Sequence, residues 1–345
     1  MKTVCQMTIP LLAFFVFQCS NMPAQKPQTT DFHLIKKTVV GGDGFWDYIT
    51  VDTGSRQLYL SHGARVVVLN ADTHKQLATI AGQGIHGVTL VADSNKGFIT
   101  NGSAGTVTVF DTRTFEKTGE IAVGKNPDAA LYDPYSKRLF VFNAGSDDAT
   151  VIDPAVDKPV GTIPLGGAPE AAATDGQGTI FVNLEDKSEI AAFDAKTMKI
   201  LRRMPLAPGE EPTGLAMDVK NGILFSVCHN KLMLILDAKT GKTLSKLPIG
   251  EHVDGVVFDA ERQVAVSSNG EGTLTVVREV APTEFRVAQT VTTEPGARTI
   301  ALDAKTHHVF TATAQYGEQP APTSDNPHPR RKTVPGTFSV LEYGE

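Results

Sequence analysis

Cysteine is scarce in this sequence: the 345 residues contain three, and two of them lie within the first 19 positions. This scarcity excludes a disulfide-rich scaffold and any zinc or iron–sulfur site built from several cysteines in the body of the chain. An excess of positive charge is missing as well, since 32 Lys and Arg residues face 38 Asp and Glu residues. The net charge of −6 therefore argues against a nonspecific nucleic-acid binder, which is usually basic.

The common catalytic motifs are also missing. The sequence has no GxSxG nucleophile elbow, no HExxH zinc motif and no P-loop. A glycine-rich stretch occurs at residues 41–44, but no helical pattern follows it, which disfavours phosphate binding. No stretch of useful length has helical periodicity, although 41% hydrophobic residues are enough for a large core. We therefore expect a folded, all-β protein without a recognisable catalytic signature.

The first 24 residues have the pattern of a signal peptide. Residues 9–17 form a nine-residue apolar run, which is too short to span a bilayer. Cleavage near Ala24 would leave a polar linker at residues 25–31. The alternative is a lipoprotein signal in which Cys19 is acylated. Either pattern predicts export to the periplasm or the outside, without a transmembrane span and, in the second case, with a lipid anchor.

The remaining sequence repeats seven times with a period near 42 residues. Each repeat contains four short β-rich runs, and this combination is typical of a propeller blade. The repeats start near residues 46, 85, 127, 169, 212, 253 and 297. Six of the seven have an aspartate six residues after the start, and the second repeat has Val91 there. These marker aspartates are Asp52, Asp133, Asp175, Asp218, Asp259 and Asp303. We interpret them as turn formers, because an Asp side chain can bond its own downstream backbone.

The two ends of the repeat region complete each other. The seventh repeat ends after its third strand, at residues 338–343, while residues 32–40 form an orphan fourth strand before the first repeat. Pairing the two would close a ring and remove two exposed edges. The sequence thus predicts an all-β, seven-bladed β-propeller of four-stranded blades over residues 32–345, closed by an N-terminal outer strand.

The ends of the second strands carry a resemblance to a known family. They read FITN at 98–101, FVFN at 140–143, IFVN at 180–183 and VSSN at 266–269, and third strands such as GTVTVFD follow. In this respect the chain resembles the YVTN β-propeller repeat family and its YncE-like proteins. The resemblance implies the propeller fold. It leaves function open, because the family includes binding modules, some YncE-like proteins bind single-stranded nucleic acid, and related seven-bladed propellers include lactonases.

A polar rim is predicted at one mouth of the central channel. In such a blade the first strand lines the channel, so the residue after each repeat start lies at the rim, close to the ends of the second strands. The rim residues are Asp47, His86, Asp128, Glu170, Thr213, Asp254 and Arg298, and those ending the second strands are His62, Asn101, Asn143, Asn183, Cys228, Asn269 and Thr313. The candidate ligand-binding residues are Trp46, Asp47, His86, Asp128, Glu170, Asp254, Arg298, His62, His229 and His252.

The rim residues allow more than one chemistry. Carboxylates with one histidine could hold a divalent cation such as calcium or magnesium, the one cofactor that the sequence suggests. Acids that share a confined mouth repel one another and favour a cationic guest, while Arg298 could anchor a ligand carboxylate. The alternative is a polar rim around a water-filled channel. Trp46 is either a core residue or a ligand platform, and the asparagines are interpreted as turn residues.

The seventh repeat carries an insertion at residues 314–336. Its five prolines predict an extended loop, which opens on the same face as the rim. Arg330, Arg331 and Lys332 form the densest basic run of the chain. We expect either a lid or docking arm across the mouth or a solvated surface loop.

Three functions from different classes follow from these observations. The favoured one is an exported, noncatalytic propeller that binds a peptide, a protein or a small molecule at its mouth. The alternative is a metal-assisted lactonase or lyase, in which rim acids and His86 or His252 hold a cation that polarises a carbonyl or activates water. Single-stranded nucleic-acid binding is disfavoured, because it requires aromatic and basic residues whereas this rim has one Trp and an acidic majority.

Overall fold

The computed structural model describes residues 1–2, 31–91, 94–321, 329 and 331–345. The predicted signal peptide beyond residue 2, Cys19, residues 25–30 of the linker and part of the 314–336 insertion lie outside these ranges. Within them, 28 strands form seven antiparallel sheets of four strands each. Apart from one 3₁₀ turn at Glu185–Lys187, these ranges contain no helix.

The first six sheets are continuous blades, and each is made of four consecutive strands. Blade 1 consists of β2 (Trp46–Asp52), β3 (Gln57–His62), β4 (Arg65–Asn70) and β5 (Gln76–Ala81). Blade 2 consists of β6 (Ile85–Val91), β7 (Lys96–Asn101), β8 (Thr106–Asp111) and β9 (Lys117–Ala122). Blade 3 consists of β10 (Pro127–Asp133), β11 (Arg138–Asn143), β12 (Asp148–Asp153) and β13 (Lys158–Pro164).

The next three blades repeat this order. Blade 4 consists of β14 (Pro169–Thr174), β15 (Thr179–Leu184), β16 (Glu189–Asp194) and β17 (Ile200–Pro205). Blade 5 consists of β18 (Pro212–Asp218), β19 (Ile223–Cys228), β20 (Leu232–Asp237) and β21 (Thr243–Pro248). Blade 6 consists of β22 (Val253–Asp259), β23 (Val264–Asn269), β24 (Thr273–Ala281) and β25 (Glu284–Thr292).

Blade 7 is assembled from both ends of the repeat region. Its strands are β26 (Ala301–Asp303), β27 (His308–Thr313), β28 (Ser339–Gly344) and the outer strand β1 (His33–Val39). β1 pairs antiparallel with β28, with Val39 opposite Ser339 and His33 opposite Gly344. The predicted seven-bladed, four-stranded propeller with an N-terminal closing strand is therefore confirmed.

The core lies between neighbouring blades. The two middle strands of each blade are buried on both faces, whereas the outer strands are mostly exposed or half-buried. Each apolar cluster joins two blades: Leu58 and Leu60 of blade 1, for example, pack with Phe310 of blade 7. Phe140 of blade 3 similarly packs on Phe193 of blade 4, with ring centroids 5.4 Å apart. Because adjacent blades bury each other's faces, closing the ring completes the core.

The marker aspartates hold the turns after the inner strands, as expected. Asp52 Oδ1 accepts hydrogen bonds from the backbone N–H groups of Gly54 and Ser55. Asp218 and Asp259 each accept two backbone N–H groups of the following turn in the same way. These bonds satisfy donors that the tight turn would otherwise leave unpaired.

The opposite ends of the inner strands contain an irregularity. In each of the first six blades the pairing register of the inner strand shifts within its first four residues, as between Trp46 and Ile49 or between Pro127 and Ala130. Such a bulge turns side chains away from the regular alternation of a strand. The shift lies where the sequence predicts the polar rim.

Candidate functional site

His86 connects three blades at the mouth of the channel. Its Nδ1 lies 2.8 Å from Asp47 Oδ2 on blade 1 and 3.0 Å from Asp128 Oδ1 on blade 3. A single ring N–H therefore faces two carboxylates. The three side chains are partly buried, with 14–27% of each exposed. One possible ligand atom from each residue lies within 4.8 Å of the other two, so the group could also hold a metal ion.

Two further contacts extend this cluster around the ring. The carboxyl groups of Glu170 and Asp128 share a hydrogen bond, which requires that one of them carries a proton. Arg298 Nη1 lies 3.0 Å from Asp254 Oδ2, so blades 6 and 7 contribute an ion pair. The mouth cluster, defined as Asp47, His86, Asp128, Glu170, Asp254 and Arg298, thus draws one residue from each of six blades.

Burial and neighbouring charges set the protonation of the mouth cluster. Burial raises the pKa of Glu170 well above its usual range, and the charge of Asp128 adds to this effect. Burial also raises the pKa of Asp254 to about 6. Burial opposes a charge on His86, but its hydrogen bonds with Asp128 and Asp47 prevail and raise its pKa to about 10. At neutral pH His86 is therefore cationic, and the raised pKa of Glu170 favours its protonated form.

Asp47 and Asp128 respond differently to the same surroundings. Burial raises the pKa of both carboxyl groups, and for Asp47 this effect prevails. For Asp128 the hydrogen bonds with His86 and Glu170 prevail and lower the pKa. Asp128 is consequently the carboxylate that holds its negative charge most firmly, with a cation on one side and a proton donor on the other.

A second acidic group lies beside the mouth cluster. His229 Nδ1 is 3.3 Å from Glu211 Oε2 and 4.0 Å from Glu185 Oε1. Burial raises the pKa of Glu185, and the charges of Glu211 and Asp128 contribute to this shift. His229 also acts electrostatically on Asp254, which places both groups on the same face of the ring. His252 is exposed in the turn before β22 and makes none of the hydrogen bonds or ion pairs of the mouth cluster.

Trp46 and His62 do not join the mouth cluster. The Trp46 ring is only 4% exposed and packs against Tyr316 and Phe338, with centroid distances of 6.1 and 5.8 Å. The His62 ring stacks on Phe338 at 3.9 Å, and burial lowers its pKa to about 4. Of the two hypotheses for Trp46, the structure favours core packing. Both residues support the seam between blades 1 and 7.

The asparagines at the ends of the second strands are structural. The amides of Asn101 and Asn269 each donate to two threonine hydroxyls on the neighbouring third strand, while Asn143 donates to Asp148 and Thr150. Asn183 differs, because its amide reaches the carbonyls of Thr213 and Gly214 on blade 5. These bonds fix geometry between strands and between blades, whereas the sequence interpretation assigned the asparagines to turns.

The described part of the 314–336 insertion reaches the edge of the mouth. Tyr316 pairs with Thr333 across a short bridge, and Gly317 N–H donates to Lys332 O at 2.9 Å. Arg298 and Arg331 both act electrostatically on Tyr316, which places the base of the insertion beside the mouth cluster. Residues 322–328 and Arg330 lie outside the described ranges, so the lid or docking arm stays a prediction.

One residue of the channel, Tyr48, was not among the candidates that the sequence predicted. Tyr48 follows Asp47 on β2 and lies near the acids of the mouth cluster, whose charges act together with burial to raise the pKa of its phenol. A regular strand would place Tyr48 and Asp47 on opposite faces. The register shift between Trp46 and Ile49 brings both Asp47 and Tyr48 to the channel, and no pattern in the sequence predicts this shift.

Fold and site together define a closed, seven-bladed β-propeller whose channel mouth is lined by ionisable side chains. The model of the YncE-like β-propeller family matches residues 77–315, and the chain belongs to this family. A chain in the crystal structure of a mitotic checkpoint complex superimposes with a TM-score of 0.73 over 97% of this chain and 99% of that chain. Its sequence identity is 13%, so this likeness concerns the fold alone. No curated protein matches the sequence.

Proposed function

We propose that this protein is an exported, noncatalytic propeller that binds a positively charged ligand at the channel mouth. The observation that carries the proposal is the convergence of Asp47, Asp128, Glu170 and Asp254, from four blades, around His86 and Arg298, the two cations of the mouth cluster. These acids do not hold turns, unlike the marker aspartates. The ligand class includes peptides, proteins and small molecules that present an ammonium or guanidinium group.

The electrostatics of the mouth support a cationic guest. Burial raises the pKa of Asp47, Glu170 and Asp254, which means that their ionised forms are destabilised in the free protein. A cation placed among them would relieve this cost and would favour ionisation. The side chain of Arg298 is 40% exposed and offers an anchor for a carboxylate on the same ligand.

Export is the cellular part of the proposal. It rests on the signal-peptide pattern of residues 1–24. As a separate finding, none of the helices among the residues with described structure is long and apolar enough to cross a membrane. Expression with the native leader should give a mature N-terminus near Gln25 or a lipid-modified Cys19. Recovery of a cytoplasmic protein that retains Met1 would contradict export.

A metal-assisted lactonase or lyase is the second candidate, favoured by the Asp47, His86 and Asp128 group. A divalent cation held there would act as a Lewis acid on a carbonyl. Metal binding must, however, displace the proton that a pKa of about 10 keeps on His86. The ligand-binding function is therefore preferred. Stoichiometric metal in the purified protein, lost on the substitution His86→Gln, would reverse this preference.

Isothermal titration with simple cations tests the binding function. The probes are ethylammonium, tetramethylammonium and calcium, each added as the chloride to the mature protein at pH 7.5. We expect at least one organic cation to bind and to lose affinity in the Asp128→Asn/Glu170→Gln variant. Absence of binding by all three probes, or equal binding to the variant, would contradict the proposal.

A further inference from the structure

Tyr48 extends across the inner wall of the channel from blade 1. A Cβ atom placed on Gly87 of blade 2 would lie 3.4 Å from Tyr48 Cδ2 and 3.6 Å from Tyr48 Cβ. Beyond this glycine, Tyr48 packs against the apolar cluster of blades 3 and 4, which includes Ala129. The ring thus lies against the backbone of blade 2 at Gly87 and reaches the inner strands of blades 3 and 4.

A cavity of about 180 Å³ lies along the inner strands on this side of the channel. Small and hydroxyl-bearing residues line it together with Tyr48, including Thr50, Gly87, Thr89 and Ala129. None of these is an acid of the mouth cluster. The mouth therefore adjoins a wall of one aromatic ring with aliphatic and small side chains, and this is an observation independent of the carboxylates.

The ring and the carboxylates suit one kind of cation. The face of an aromatic ring attracts a cation within about 6 Å, most effectively where water is excluded. Alkylated ammonium groups are weakly hydrated at their methyl surface and can contact both a ring and carboxylates. Calcium and magnesium instead require six or more oxygen ligands or retain their waters. A phenol that stays neutral presents its ring without adding a negative charge.

We propose that Tyr48 is a ligand-contacting residue that makes the mouth selective for alkylated ammonium groups over metal ions. This inference rests on the proposed binding function and names the class of ligand. The acids of the mouth cluster supply the attraction for any cation, whereas Tyr48 supplies the preference for one with an apolar surface. The exposed aromatic Phe45, three residues earlier, is not among the residues that line this cavity and offers a matched control.

The experiment compares tetramethylammonium with calcium chloride by titration calorimetry on the full mature protein. We expect tetramethylammonium to bind at least fivefold more tightly than calcium. The substitution Tyr48→Leu should weaken tetramethylammonium binding at least fivefold, while Tyr48→Phe and Phe45→Leu should change it less than twofold. Circular dichroism melts establish that each variant is folded. If Tyr48→Leu does not fold, Gly87→Val tests the same contact by displacing the ring.

The outcomes separate the two proposals. If calcium binds as well as tetramethylammonium, or if Tyr48→Leu and Gly87→Val both retain parental affinity, the role of Tyr48 is overturned while the binding function stands. If the Asp128→Asn/Glu170→Gln variant binds both cations as the parent does, the binding function itself is overturned. If Tyr48→Leu loses affinity for tetramethylammonium and keeps its affinity for calcium, the result supports both the role of Tyr48 and the binding function.

Discussion

The two ends of the inner strands use acidic residues in different ways. At one end the marker aspartates accept hydrogen bonds from their own turns, as Asp133 Oδ2 does from Ser136 N–H at 2.8 Å. Asp133 Oδ1 also accepts the hydroxyl of Thr174 on blade 4 at 2.7 Å. At the other end, five residues earlier on the same strand, Asp128 contacts His86 and Glu170 from neighbouring blades. The first arrangement is repeated around the ring, and the second occurs once.

This difference separates structure from site within a repeat protein. Each blade contains an equivalent turn after its inner strand, so an aspartate recurs at this position in six of the seven repeats. The rim faces a single shared space, so each blade contributes a different residue: Asp47, His86, Asp128, Glu170, Thr213, Asp254 and Arg298. Repetition therefore identifies residues that build the blade, and variation at a structurally equivalent position identifies the residues of the candidate site.

The largest expected effect concerns a marker aspartate that also forms an ion pair between blades. Asp303 is fully buried, and its Oδ2 lies 2.6 Å from Arg56 Nη1. The substitution Asp303→Asn should lower the free energy of unfolding by about 3–5 kcal/mol, because it leaves a mostly buried guanidinium without its inner partner. Urea denaturation measures this effect.

The other carboxylate on Arg56 provides the control. Asp72 contacts the same guanidinium, but its side chain is 55% exposed. The substitution Asp72→Asn should cost less than about 1 kcal/mol. If both variants lose the same free energy of unfolding, burial does not make the contribution of Asp303 larger than that of Asp72.

The next effect concerns binding at the rim. The double substitution Asp128→Asn/Glu170→Gln keeps the shapes of both side chains and removes the shared proton and the charge. Affinity for tetramethylammonium should fall at least tenfold, about 1.4 kcal/mol, while the unfolding midpoint in urea changes little. The exposed single substitution Glu116→Gln serves as a control that also removes one negative charge. A rim variant that loses stability instead of affinity would assign these acids to structure.

The smallest effect is a pH dependence that arises from Asp254. Because its pKa in the folded protein is about 6, cation affinity should rise several-fold between pH 5 and pH 7.5 as this carboxyl ionises. His86 stays protonated throughout this range and contributes no change. The stability contribution of Asp254 has the opposite sign: it is present below the ordinary value of 3.8 and is lost as the pH rises to about 6.

The variant Asp254→Asn isolates this group. Titration at several pH values should give a shallower affinity profile in the variant than in the parent. A parental slope that persists in Asp254→Asn would assign the pH dependence to another residue.

The sequence was sufficient to predict the fold because the repeat is regular. The period, the marker aspartates and the orphan strand at residues 32–40 together define the number of blades and the way in which the ring closes. Six of the predicted rim residues come together because they occupy equivalent positions in their blades. Pattern reasoning succeeds for features that occur at the equivalent position in every blade.

Pattern reasoning fails for contacts that occur only once in the ring, between segments that are distant in the sequence or at a local irregularity. The burial of Trp46 depends on Tyr316 and Phe338, which lie about 270 and 290 residues later and pack on it only because the ring closes. The position of Tyr48 depends on a register shift in β2 and on packing against the inner strands of blades 3 and 4. Neither contact follows a period, so neither could be predicted from the sequence.

The most direct test of this account compares two aspartates on β10, Asp128 and Asp133, each replaced by asparagine. Both the free energy of unfolding and the affinity for tetramethylammonium are measured for each variant. We predict that Asp128→Asn weakens binding and leaves unfolding nearly unchanged. Asp133→Asn should lower the free energy of unfolding by about 1–3 kcal/mol and leave the affinity of the folded protein unchanged. The same loss of stability in both variants, with no difference in binding, would contradict the division of the inner strand into a structural end and a binding end.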